Sequence, residues 1–177
     1  LSFEELLAQT KALCSNQNNS FFYLNSALAN VSSLLYRSLP KLNWVGIYYL
    51  TEDSSLVLGP FHGEVACVTL LSGRGVCQKA VRDKSVVCVE DVNKFPSHIS
   101  CDSHSQSELV VPLFVAGKVV AVLDIDSSEK DHFNSDLEAF FTEIGEILTT
   151  CFEATPNYLD ILRINSHYIV SSNERDE

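Results

Sequence analysis

Two carboxylates close the apolar run Val119-Val120-Ala121-Val122-Leu123-Asp124-Ile125-Asp126, and the period of a strand puts both on one face. An ionised carboxylate withdrawn from water loses much of its solvation, so such a pair must share a proton, stay wet or meet a cation. Three cysteines stand upstream: Cys67 and Cys77 bracket the turn Gly73-Arg74-Gly75, and Cys101 lies in a polar stretch seven residues before Glu108. Thiols and acids together point to redox chemistry.

Cysteine reacts as thiolate, and a thiol in the first turn of a helix gains from the unpaired N–H groups and the dipole there. Cys77 has that setting. Cys101 has another, with His98 and His104 as neighbours whose protonated rings would lower a thiol pKa. Cys67, read as mid-strand with Val65 and Thr69 on its face, is better explained by packing, whereas packing and reactivity weigh equally for Cys77 and Cys101. Cys14, Cys88 and Cys151 are assigned to packing on an apolar helix face, in a Val-rich strand and at a helix end. There is no C-x-x-C and no H-x-x-x-H, so no metal is expected. Gly73-Arg74-Gly75 is too short for a phosphate loop and reads as a tight turn. Glu108 begins the strand that precedes the Ala116-Gly117 hairpin turn, so pairing outward from that turn brings Glu108, Asp124 and Asp126 to the same end of a sheet. A solvated edge is the ordinary place for such charges, but the apolar run before Asp124 weighs against it.

The elements that must position these residues follow from periodicity and caps. Ser2 with Glu5 reads as a capping box opening an amphipathic helix. Ser20 to Leu39 carries Leu24, Leu28, Val31 and Leu35 at helical spacing, and Pro40 stops it. Trp44 to Leu50 and Leu56 to Phe61 are strand-like and pair as a hairpin, with a further strand from Glu64 to Leu70. A short helix is expected over Val76 to Val81, a short strand over Ser85 to Val89, and a patternless loop from Glu90 to Gln106 tacked down by Phe95, Pro96 and Ile99. Such a loop is expected to cover the site. Leu109 to Val115 and Lys118 to Ile125 form the hairpin, and Ser135 with Glu138 reads as a second capping box before the stripe Leu137, Phe140, Phe141, Ile144 and Leu148. The expected fold is α+β: a central antiparallel sheet of about six strands with N- and C-terminal helices packed on one side. Residues 1–153 form the domain and 154–177 a polar tail.

Composition narrows the partners. The 177 residues suit one domain, and 46% hydrophobic content supplies its core. A net charge of -11 repels phosphate backbones and anionic membrane surfaces, so neither nucleic acid nor membrane is expected. Six cysteines in so core-rich a chain point to a reducing, cytoplasmic setting rather than a disulfide scaffold.

The segments Asn43-Trp44-Val45-Gly46-Ile47-Tyr48, Leu58-Gly59-Pro60-Phe61-His62-Gly63, Ala66-Cys67, Gly73-Arg74-Gly75-Val76-Cys77, Asp91 to Asp102, Ser107 to Pro112 and Leu123 to Ser127 occur in order. Together they resemble the GAF-domain free methionine-(R)-sulfoxide reductases over about residues 43 to 151. The resemblance implies reduction of free methionine-(R)-sulfoxide without a bound cofactor, with thioredoxin as external reductant. It also implies that Cys101 attacks the sulfoxide sulfur and that Cys67 or Cys77 resolves the product as a disulfide. The helix-start argument favours Cys77 as nucleophile; the resemblance favours Cys101, which we adopt. By the same resemblance Glu108 and Asp124 receive the sulfoxide oxygen, Asp126 the substrate ammonium, and Trp44 and Tyr48, four apart on one strand face, wall its methyl and thioether. A sulfoxide yields readily only when its oxygen is protonated, and crowded acids hold a proton near neutral pH because they raise one another's pKa. A homodimer through the terminal helices is expected by analogy with the fold. Two other readings use the same residues: a non-enzymatic GAF-type small-molecule sensor, and a thiol redox switch without a substrate.

Overall fold

The computed structural model describes residues 1–15, 20–96 and 104–155. Two helices lead, α1 (Phe3–Cys14) and α2 (Phe21–Ser38). Ser2 Oγ accepts from the Glu5 amide at 3.1 Å while Glu5 Oε2 accepts from the Ser2 amide at 2.8 Å, the reciprocal capping box expected there. Ser20 caps α2, and the chain leaves helical geometry at Leu39, just before Pro40.

Six strands follow: β1 (Leu42–Leu50), β2 (Leu56–Gly63), β3 (Thr69–Leu70), β4 (Val87–Val89), β5 (Ser107–Val115) and β6 (Lys118–Ser127). Their order is β3-β2-β1-β6-β5-β4, and every neighbouring pair is antiparallel. The β5–β6 turn has positive φ at both Ala116 and Gly117, as a two-residue hairpin loop requires to match strand twist. Between β3 and β4 the chain crosses the sheet as α3 (Val76–Asp83), and α4 (Ser135–Glu153) closes the fold.

The period of two sorts the residues into two interiors. On one face Val45, Ile47 and Tyr49 of β1, Leu109, Val111 and Leu113 of β5, and Leu123 and Ile125 of β6 pack with Leu6, Leu28, Leu35, Phe141, Ile144 and Phe152 from α1, α2 and α4. On the other, Trp44, Tyr48, Val110 and Val122 pack with Val76, Cys77 and Ala80 of α3 and with Val87 and Val89. The terminal helices thus cover one side, as expected, and α3 lies on the opposite side.

Local expectations need four corrections. Only Thr69–Leu70 of the strand expected from Glu64 to Leu70 is extended pairing, because Gly63 at φ 139° turns the chain out of β2. Only Val87–Val89 of Ser85 to Val89 pairs with β5. The α4 cap is Asn134, whose Oδ1 accepts from the Leu137 amide at 3.0 Å, so Ser135 is the first helical residue and makes no capping box. The short helix runs two residues further than expected, to Asp83.

Of the Glu90 to Gln106 stretch, Val92–Lys94 forms a 3-10 turn, Phe95 packs on the α3-side core, and the Val92 amide donates to the Gln106 carbonyl at 2.9 Å. Residues 97–103, which include His98, Ile99 and Cys101, and residues 156–177 of the expected tail lie outside the described residues. No helix among the described residues is long and apolar enough to cross a membrane.

Candidate active site

The hairpin brings the three acids to the same end of the sheet, as expected, and a register shift between Leu113 and Phe114 sets Glu108 on the face of the two aspartates. Glu108 lies directly opposite Asp126, Val110 opposite Asp124, and on the other flank of β6 Asp126 faces Trp44 and Asp124 faces Gly46. All of these positions share the face on which α3 packs. Glu108 and Asp124 are each only 6% exposed, so the solvated-edge explanation fails for both, while Asp126 is half-buried.

Burial dominates the electrostatics of the pair. It pushes the Glu108 carboxyl up to about 8, helped by the negative charge of Asp126 and opposed by hydrogen bonds from Asp124 and Cys77. Asp124 is held well above the usual carboxylate range by burial first, then by the Glu108 charge and their mutual hydrogen bond. The two carboxyls therefore retain a proton at neutral pH. Asp124 Oδ1 is buried and has no hydrogen-bond partner among the described residues, an acceptor pointing at nothing.

Cys77 sits in the first turn of α3, as expected, yet the helix start does not make it a thiolate. The side chain is 3% exposed, and burial together with the charges of Asp124, Glu108 and Asp126 raises its pKa. Its thiol donates to Glu108 Oε1 at 3.9 Å. Desolvation and three nearby acids outweigh a dipole worth about 1 kcal/mol. The ligand atoms of Cys77, Glu108 and Asp124 all lie within 4.8 Å of one another, so a cation could be held there only by displacing the protons that this burial retains.

Cys67 departs most from expectation. It lies outside any strand, in the segment between β2 and β3, and it is disulfide-bonded rather than merely packed. Cys14, Cys77, Cys88 and Cys151 are not in disulfides. Cys101 lies outside the described residues. Packing does explain Cys14 and Cys151, which are buried in the helix-side core and hydrogen-bonded to each other. It does not explain Cys88: with Val87 and Val89 turned inward, the alternation of β4 points Cys88 outward, where it is exposed.

An aromatic slab stands beside the acids. The rings of Trp44 and Tyr48 stack with centroids 5.8 Å apart, and Phe61 of β2 stacks on Trp44 at 5.2 Å. Gly46, between Trp44 and Tyr48 on the same face, makes room for this. A Cβ there would lie 2.4 Å from both the Trp44 ring and Phe61 Cβ. Each polar tip has a task. Trp44 Nε1 donates to the Glu64 carbonyl at 3.1 Å and Tyr48 Oη to the Cys67 carbonyl at 2.9 Å, so the slab carries the disulfide segment on its rim. The Tyr48 phenol is held neutral by burial and by the acids it faces. Phe61, Gly46 and the link from Tyr48 to Cys67 escaped the reading of the sequence. The small residue inside an aromatic strand was the available signal for the first two; nothing local signals the third.

The GAF domain family matches residues 23–151. Free methionine-R-sulfoxide reductase of Escherichia coli is 45% identical over 129 residues, covering 71% of this chain and 78% of that protein. Protein YtsP of Bacillus subtilis is 46% identical over 147 residues, covering 82% of this chain and 88% of its own. Among solved structures, a free methionine-R-sulfoxide reductase from Neisseria meningitidis, captured with its substrate, superposes with a TM-score of 0.81 at 35% identity over 88% of this chain and 90% of that one.

Proposed function

The chain belongs to the GAF-domain free methionine-R-sulfoxide reductases, and from that premise we propose that it reduces free L-methionine-(R)-sulfoxide to methionine through a cysteine sulfenic acid and an intramolecular disulfide, with thioredoxin restoring the thiols. The observation that carries this reading is a buried carboxyl pair, Glu108 and Asp124, kept protonated beside an aromatic slab whose rim holds a disulfide-bonded cysteine.

In this reading the sulfoxide oxygen occupies the space above Glu108 and Asp124, where the orphan Asp124 Oδ1 gains a partner. A carboxyl that keeps its proton at pH 7 can pass it to the oxygen as the Cys101 thiolate attacks sulfur. The hydroxyl passes from the substrate sulfur to the Cys101 sulfur, the transient sulfur–sulfur bond breaks with its electron pair going to methionine, and Cys101 is left as a sulfenic acid. The Cys67 thiol then attacks the sulfenic sulfur and expels water, which leaves a disulfide. Two features support Cys67 over Cys77 as the resolving thiol: Cys67 is disulfide-bonded, and Cys77 is a buried free thiol that donates to Glu108. Cys77 thus serves the acid pair. Asp126, half-buried at the same end of the sheet, receives the substrate ammonium, and Trp44 with Tyr48 walls the methyl and thioether.

Four cysteines outside disulfides among the described residues accord with a reducing, cytoplasmic setting. Phe22 and Tyr23, 82% and 50% exposed at the start of α2, are the apolar surface that a homodimer through the terminal helices would cover. The test of the activity is NADPH consumption with thioredoxin, thioredoxin reductase and free methionine-(R)-sulfoxide; absence of substrate-dependent turnover would leave the sensor and redox-switch readings standing and remove this one.

A further inference from the structure

Of the seven large hydrophobic side chains exposed among the described residues, three fall in the short stretch from Val65 to Leu71: Val65 at 83%, Val68 at 66% and Leu71 at 64%. Cys67, with its disulfide, sits between the first two. Hydrocarbon in water is ordinary for a loose loop, but this stretch is held from beneath. The Glu64 carbonyl accepts from Trp44 Nε1 at 3.1 Å, the Cys67 carbonyl from Tyr48 Oη at 2.9 Å, the Val68 carbonyl from the Leu58 amide at 2.9 Å and the Leu70 carbonyl from Gln78 Nε2 at 2.9 Å. Four anchors in seven residues fix the backbone against β1, β2 and α3, and the inward places are taken by Ala66, Cys67 and Leu70, all packed on the α3-side core. The outward valines and Leu71 have no room to turn in. Their exposure is built into the fold.

Resting on the reductase reading above, we propose that Val65, Val68 and Leu71 form a docking collar for the protein dithiol that reopens the Cys67 disulfide. The chemistry names the occupant. A partner seated on this collar lies against half-buried Cys67, the disulfide-bonded residue between Val65 and Val68, so the useful partner presents a nucleophilic thiol within an apolar surface. Its thiolate attacks one sulfur of the disulfide, that bond breaks, and the departing sulfur leaves as a thiolate that takes up a proton. The partner's second thiol then breaks the mixed disulfide, so the partner leaves oxidised and the chain regains two thiols. Charge fits the same picture. From Val65 to Gly73 there is no charged residue on a chain of net charge -11, so contact here relies on apolar burial and escapes the chain's own anionic field.

The test compares two reductants on the full chain. Turnover of free methionine-(R)-sulfoxide is measured with dithiothreitol, which needs no docking surface, and with thioredoxin regenerated by its reductase and NADPH. Val65→Glu with Leu71→Glu is expected to lower kcat/KM for thioredoxin about tenfold while the dithiothreitol rate is unchanged. Val65→Ser with Leu71→Ser, which removes hydrocarbon without adding charge, is expected to fall between that variant and the unaltered chain. Unchanged thioredoxin kinetics in both variants overturns the collar alone. Equal loss with both reductants overturns it too, since the patch would then serve substrate or fold, and so does a loss accompanied by a change from dimer to monomer, which would assign the patch to a second copy. No turnover by the unaltered chain with either donor overturns the reductase reading and the collar with it.

Discussion

Alternate residues of the same strands build two unlike interiors. On β6, Leu123 and Ile125 enter the apolar core closed by α1, α2 and α4, while Asp124 and Asp126, their immediate neighbours, lie on the α3 side with Glu108, Cys77 and the Trp44–Tyr48 slab. The helix-side core packs large apolar side chains such as Phe141 and Phe152 beside small ones such as Ala27 and Ala121. The α3 side spends equally buried positions on carboxyls, which costs stability unless protons or hydrogen bonds compensate. Cysteines show the same contrast. Cys14 is held as a thiol by its hydrogen bond with Cys151 and by burial among apolar side chains; Cys77 is held as a thiol by burial and by the acids beside it, to one of which it donates. Burial alone therefore does not distinguish the two thiols; their neighbours do.

The largest expected effect tests this contrast among thiols. Cys101→Ser is expected to lower turnover at least about a thousandfold in the thioredoxin-coupled assay, as loss of a covalent nucleophile does. Cys14→Ala, on the helix side, is expected to stay within about threefold. A full rate in Cys101→Ser would return the nucleophile's role to Cys77.

Next come the two neighbours on β6. Asp124→Asn is expected to reduce kcat about a hundredfold, the lower end of what general acid catalysis contributes, with melting little changed. Leu123→Ala is expected to do the reverse, costing about 3 kcal/mol in denaturant unfolding with kcat nearly intact. If both variants lose rate alike, the two interiors are energetically one.

Titration sharpens the comparison without a core mutation. With Glu108 at about 8 in the fold against 4.5 when unfolded, the native state binds more protons between those values, so the stability this group contributes is full at or below pH 4.5 and is lost as pH rises toward about 8. Each pH unit crossed costs up to about 1.4 kcal/mol for one such group. Turnover is expected to fall as pH passes about 8, with the acid proton. Glu108→Gln is expected to flatten the stability profile in urea titrations between pH 5 and 8; an unchanged slope would place the titrating group elsewhere.

The smallest effect concerns the link between slab and disulfide. Tyr48→Phe keeps the ring and removes the donor to the Cys67 carbonyl, a loss of about 1 kcal/mol. Disulfide formation after one turnover, followed by rapid quench, is expected to slow about threefold to fivefold with substrate binding unchanged. A raised KM with an unchanged quench rate would make Tyr48 a substrate wall alone.

Much of this was legible along the chain because the signals are local. Alternation on β5 and β6 plus a two-residue turn brings Glu108, Asp124 and Asp126 to one end of the sheet. Unbroken counting outward from Ala116-Gly117 would set Glu108 opposite Ile125, and only the register shift between Leu113 and Phe114 turns it onto the face of the two aspartates. The capping box at Ser2 and the stripe from Phe140 to Leu148 likewise depend only on near neighbours. The α4 cap was misplaced by one residue because Asn134 and Ser135 both offer a capping oxygen, and only the path of the chain into the helix chooses between them.

Properties that depend on distant covering atoms were decided by tertiary structure. Cys77 has the sequence position of an activated thiol, and burial, with the acids of β5 and β6 packed over it, keeps its proton on. Cys88 has the composition of a core strand, and its position at the sheet's edge leaves it in the open. Cys67 looked like mid-strand packing, and a single turn at Gly63 made it the disulfide-bearing rim of the aromatic slab. Periodicity states which way a side chain points from its own backbone; solvent access, proton affinity and bonding partner depend on what the rest of the chain brings to that side.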